Sequence, residues 1–98
     1  MQNSSLSKEI SKVVNLFLED EIQEFHFKLN MEISKEELDT MISGYDSSNG
    51  AIRDNIMVDE YIYDIDKNVF KKIIIIYIQL DNERVSILDI EGFTDFVN

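Results

Sequence analysis

The chain has 98 residues, of which 44% are hydrophobic, with no cysteine and with 20 acids against 9 bases, a formal net charge of −11. That length predicts a single domain, 1–98. The missing cysteine excludes disulfides, a thiolate nucleophile and cysteine-ligated metal, and agrees with a reducing, cytoplasmic compartment. The charge argues against nucleic acid and anionic membranes as direct partners, because phosphate contacts need lysine and arginine, and it favours a basic protein instead.

The acids are not a tail on a neutral body: residues 1–49 carry 10 acids and 4 bases, and residues 50–98 carry 10 acids and 5 bases. No signal peptide is evident, since the first residues are polar and rich in serine. The longest apolar run is Ile73–Ile78, far shorter than the ~20 residues a membrane helix needs. No proline and three glycines leave little material for a disordered linker.

Residues 5–19 predict a helix, with Leu6, Ile10, Val13, Val14 and Phe17 on one stripe and Ser4 or Ser5 as cap. Glu19, Asp20 and Glu21 oppose the dipole at its C-terminal end and are expected to stop it. Residues 23–33 alternate strictly. Phe25, Phe27, Leu29, Met31 and Ile33 take one face; Glu24, His26, Lys28, Asn30 and Glu32 take the other. This favours a strand with one wet face over a continued helix.

Ser34–Ser43 predicts a second helix. Ser34 and Glu37 have the spacing of a capping box, and Ile33 and Leu38 that of a hydrophobic staple. Leu38, Met41 and Ile42 form its buried stripe, and Gly44 is placed to end it. Tyr45–Asn55 is a loop by composition. Ile56–Ile65 predicts a strand, with Met57, Tyr61, Tyr63 and Ile65 on one parity. Asp66-Lys67-Asn68 suits a hairpin turn, with Asn68 tolerating positive φ.

Val69–Leu80 contains the most informative stretch, KKIIIIYIQL from Lys71 to Leu80. Its β-branched residues favour extended chain, so it is expected to be the central strand. A turn at Asp81–Arg84 leads to a last strand, Val85–Ile90. Gly92 is expected to break that strand and leave Phe93–Val97 as a docking tail. The order α-β-α-β-β-β, with short loops between the last three strands, predicts an α+β two-layer domain. Its sheet is four-stranded and antiparallel, with two helices on one face. Ile73–Ile78 is apolar on both parities, so the second face needs a cover. The tail, the 45–55 segment or a second chain could supply it.

Chemistry-bearing patterns are sparse. His26 is the single histidine, and a surface histidine beside Glu24 explains it better than a metal ligand. Asp46–Gly50 puts glycine one place too early for a calcium loop. Asp64–Asn68 continues with Val69 where that loop needs glycine and Ile75 where it needs a carboxylate. No nucleophile elbow or glycine-rich phosphate loop is present. The expectation is a non-enzyme with no catalytic residues, no metal and no cofactor.

The acids remain as candidates for function. Asp59, Glu60, Asp64 and Asp66 interleave with Tyr61 and Tyr63, joining the rigid contact area of tyrosine to negative charge. Glu19, Asp20, Glu21 and Glu24 form a second cluster. These ten residues are the expected partner-binding surface. The function expected is a small acidic inhibitor that covers the basic surface of a nucleic-acid-handling protein. It would be an immunity protein for a nuclease toxin or a phage-type anti-defence mimic of nucleic acid. The alternative is a non-catalytic structural or adaptor subunit, acting through a homodimer or an obligate partner on the second sheet face.

Overall fold

The computed structural model describes residues 2–42, 45–51 and 55–96, with side chains for 5–42 and 55–96. Helix α1 (Gln2–Leu18) is followed by strand β1 (Glu24–Ser34) and helix α2 (Lys35–Met41). Strands β2 (Tyr45–Ala51), β3 (Ile56–Asp66), β4 (Val69–Gln79) and β5 (Arg84–Phe96) complete the chain. The fold is α+β, as expected: one antiparallel sheet in the order β1-β5-β4-β3-β2 with both helices on one face.

The isoleucine-rich strand sits in the middle of the sheet, between β3 and β5. Alternation decides its two faces. Lys71, Ile73, Ile75 and Tyr77 are fully buried on the inner face, under the helices. Lys72, Ile74, Ile76 and Ile78 are half-buried on the outer face. The inner core is completed by Ile10, Val14 and Phe17 of α1, Met31 and Ile33 of β1, Leu38 and Met41 of α2, and Val85, Ile87 and Ile90 of β5.

β1 alternates as its sequence demands, with Met31 and Ile33 buried and their neighbours exposed. A bulge between Lys28 and Met31 shifts its register on β5. α2 starts where the capping pattern places it, the Glu37 N–H donating to Ser34 Oγ at 3.0 Å. Its last turn ends at Ile42, whose N–H donates to the Leu38 carbonyl. The expected terminator, Gly44, lies outside the described residues.

Four expectations are corrected. α1 begins at Gln2, so Ser4 and Ser5 lie inside the helix and do not cap it. The 45–55 segment is not wholly loop: Tyr45–Ala51 pairs with β3 from Tyr45↔Ile62 to Ala51↔Met57, adding a fifth strand to the four expected. Backbone pairing at an edge needs no apolar side chains, so composition hides such a strand. Asn68 does not adopt positive φ; the irregularity of the β3–β4 hairpin lies at Asp64–Asp66, and the Lys67 N–H donates to Asp66 Oδ1.

The fourth correction concerns Gly92. It does not end the last strand, which runs on to Phe96 with Gly92 paired to Phe25 and Ile73. The glycine is there for space, because a Cβ at this position would strike the Phe25 ring and stand 3.0 Å from that of Phe17. Those rings meet edge to face, their centroids 5.1 Å apart. Phe93–Phe96 therefore belongs to the sheet instead of docking on its second face.

Candidate functional site

The register brings separate acidic stretches to one end of the molecule. Strand β1 starts there, with Glu24 opposite Phe93 of β5. β5 finishes there, with Asp95 opposite Phe70 of β4, and the β3–β4 hairpin turns there with Asp64 and Asp66. The C-terminus of α1 is tied to the same end through Lys71. Glu19, Asp20, Glu21, Glu24, Asp64, Asp66 and Asp95 are all exposed. Lys67 in the hairpin is the exposed lysine beside them.

Lys71 fixes this end. Its Nζ is buried, 3.0 Å from the Asp20 carboxylate, and donates to Thr94 Oγ1 at 2.8 Å and to the Ile22 carbonyl at 3.3 Å. The ammonium also stands 4.4 Å from the centroid of the Phe17 ring, a cation–π geometry. Thr94 Oγ1 in turn donates to the Gln23 carbonyl at 2.9 Å. One buried cation thus joins helix end, connecting turn and two strands, and its charge is answered by carboxylate, hydroxyl and carbonyl.

Asp20 has a second task. Its φ of 64° is left-handed, and the Glu21 N–H reaches the Leu16 carbonyl while the Asp20 N–H reaches that of Phe17. These two bonds form a Schellman C-cap with aspartate where glycine is usual. A side-chain bond from Gln23, then one from Lys71, hold the Asp20 carboxyl below its ordinary pKa.

A groove of about 430 Å³ lies beside this end, lined by Glu24, Phe25, His26, Glu91, Gly92 and Phe93. His26 Nε2 is 3.0 Å from the Asp89 carboxylate across β5, so Asp89, rather than Glu24, is its contact. Two carboxylates and two phenylalanine rings make a lining suited to a lysine or arginine side chain. Among the described residues no group of three or more histidines or carboxylates could hold a metal ion.

Six of the ten expected surface residues, Glu19, Asp20, Glu21, Glu24, Asp64 and Asp66, gather at the acidic end. The other four do not join them. Asp59 is buried on the inner face, with the Tyr61 and Tyr77 hydroxyls donating to it at 3.4 and 3.2 Å. Its polarity is satisfied inside the core, as burial demands. Tyr61 is buried too, and Tyr63 is half-buried on the same face, where burial pushes its hydroxyl pKa up to about 12. Glu60 is on the outer face, 2.8 Å from Lys72 Nζ.

Asp95 stands outside the ten expected residues, because taking Gly92 as a strand end leaves it on a docking tail instead of on β5. The misplacement of Asp59 was avoidable, since it shares parity with Met57, Tyr61 and Tyr63.

Fold and surface together define a small α+β protein with seven of its exposed acids gathered at one end of a five-stranded sheet. The chain belongs to the family described as "Protein of unknown function (DUF1374)", whose model matches residues 7–95. It is similar to the uncharacterized protein ORF99 of Acidianus filamentous virus 1, at 39% identity over 97 residues, covering 99% of this chain and 98% of that protein. It is also similar to the uncharacterized protein 14 of Sulfolobus islandicus filamentous virus, at 30% identity over 82 residues, covering 82% of this chain and 71% of that protein. Among solved structures, the thermo- and acido-stable ORF-99 from the archaeal virus AFV1 superimposes with a TM-score of 0.88 at 38% identity, covering 98% of each chain. No described helix is long and apolar enough to cross a membrane.

Proposed function

We propose that this chain is a small acidic inhibitor that binds, through its acidic end, the basic surface of a nucleic-acid-handling protein. The observation that carries this reading is the convergence of seven exposed carboxylates, contributed by the turn after α1, β1, the β3–β4 hairpin and β5, at one end of the sheet. Such an end offers negative charge where a nucleic acid would offer phosphates, and it steers a basic partner into contact. The groove lined by Glu24, Glu91 and Phe93 receives a cationic side chain of that partner.

The relatives come from filamentous viruses of archaea. That source favours the anti-defence form of the reading over an immunity protein. A virus gains from a protein that occupies the nucleic-acid site of a host defence factor. The work is done by occupation, without turnover or a cofactor, inside the infected cell.

The test is reversal of charge at the acidic end. The triple variant Glu24→Lys, Asp64→Lys, Asp66→Lys should weaken partner binding by about tenfold or more at low salt, and flatten the dependence of affinity on salt. Unchanged affinity in a folded triple variant overturns the acidic end as the contact surface.

A further inference from the structure

We propose that the free edge of β1 is a strand-docking site: residues 24–28 take up an extended, basic segment of the partner as an added strand of the sheet. β1 and β2 stand at the two margins of the sheet. Among the described residues β1 is paired along one side only, to β5, from Glu24↔Phe93 to Ser34↔Arg84. In an antiparallel strand the N–H and C=O of a residue point the same way, and successive residues point to opposite sides. Every second residue of β1 therefore directs both backbone groups away from β5, as a template for another strand.

The usable length is set by β1 itself. From Glu24 to Lys28 the register on β5 is unbroken, and the bulge between Lys28 and Met31 then bends the strand. Such a bulge guards the rest of the edge against pairing. At ~3.3 Å per residue the regular stretch is a ledge of ~16 Å. Along it Phe25 and Phe27 are half-buried toward the inner face, whereas Glu24, His26 and Lys28 are exposed toward the outer face.

Side chains and charge define the occupant. Apolar residues of an added strand pack beside Phe25 and Phe27, whose ring centroids stand 5.9 Å apart, and its alternate residues lie beside Glu24, His26 and Lys28. Glu24, with Asp89 and Glu91 paired across from β1, outweighs the charge of Lys28. Glu24, Phe25 and His26 also line the groove that Glu91 and Phe93 complete. A cation on the added strand beside Glu24 thus reaches two carboxylates. A segment that alternates arginine or lysine with β-branched residues meets both rows. A second copy of this chain brings a net charge of −11 to the same edge, which disfavours it as the occupant.

The partner's charge rests on the inhibitor reading; the strand geometry does not, and backbone methylation separates the two. The probe is the peptide acetyl-Thr-Val-Arg-Val-Arg-amide, titrated into the isotope-labelled full chain at low salt. One modified version carries N-methyl groups on both valines, another on both arginines, with side chains and charge unchanged. In an added strand one alternate set of amides donates to β1 and the other faces solvent. One methylated version should therefore bind about tenfold more weakly, and the other as the parent does. At saturating parent peptide, alternate backbone amides among residues 24–28 should exchange about tenfold more slowly. Equal affinities of the two methylated versions overturn the added strand; if both match the parent, the cations reach the acidic end through charge alone and the inhibitor reading stands. Absence of parent binding at low salt overturns it too, whatever the charge-reversal variant shows. So does protection of the same amides in the free chain that rises with its concentration, the sign of a second copy on the edge.

Discussion

At the scale of single residues, the chain separates its acids by what they touch. Asp59 looks like a surface acid by its neighbours Glu60 and Asp64, yet it is buried beneath Tyr61 and Tyr77. Asp59→Ala should cost about 2–4 kcal/mol of stability, because it strips a buried network of its acceptor. In urea titrations this appears as a lower midpoint. Asp20 and Lys71 work the other way, one exposed and one buried. Lys71→Ala should destabilise by about 2–4 kcal/mol, through lost packing and the desertion of Thr94 and the Ile22 carbonyl.

Titration follows from the same contacts. The Asp20 carboxyl is lowered by Gln23 and Lys71. Its contribution is complete above the ordinary value of 3.8 and fades as pH falls through the lowered one. Tyr63 is raised from 10.0 to about 12, so its contribution is complete below 10.0 and is lost as pH climbs from there through about 12. Urea midpoints across this alkaline window should fall for the wild type and fall less steeply for Tyr63→Phe. Equal slopes would contradict the burial of that hydroxyl.

At the scale of elements, the sequence exposed those features that side-chain pattern controls. Alternation from Phe25 to Ile33 was enough to define β1, and the Ser34–Glu37 spacing was enough to start α2. What stayed hidden depends on neighbours distant in the chain. β2 is held by backbone pairing with β3, and polar composition says nothing about that. Gly92 signals a break when read locally, but the Phe17 and Phe25 rings packed over it turn the same residue into part of a continuous strand. Gly92→Ala should therefore cost about 1–3 kcal/mol by overpacking, and Phe25→Leu in the same chain should recover part of it. A neutral Gly92→Ala in thermal or urea unfolding would contradict this account of the strand.

The acidic end shows the same division between local and distant information. The acidic clusters were visible in the sequence, but the gathering of seven of these acids at one end was not. It requires the antiparallel register that sets Glu24 against Phe93 and Asp95 against Phe70, and the buried Lys71 that brings the end of α1 to β4.

At the scale of the whole molecule, the proposed contact surface is the acidic end, whose attraction for a basic partner salt would screen. Capture tests this central claim most directly. The purified chain, immobilised, is exposed at low salt to lysate of an archaeon that the relatives' viruses infect and eluted with a rising salt gradient. The prediction is a nucleic-acid-handling protein that leaves the column as salt rises and fails to bind the Glu24→Lys, Asp64→Lys, Asp66→Lys variant. A specific partner that persists at high salt, or one that binds the folded variant equally well, would contradict the claim.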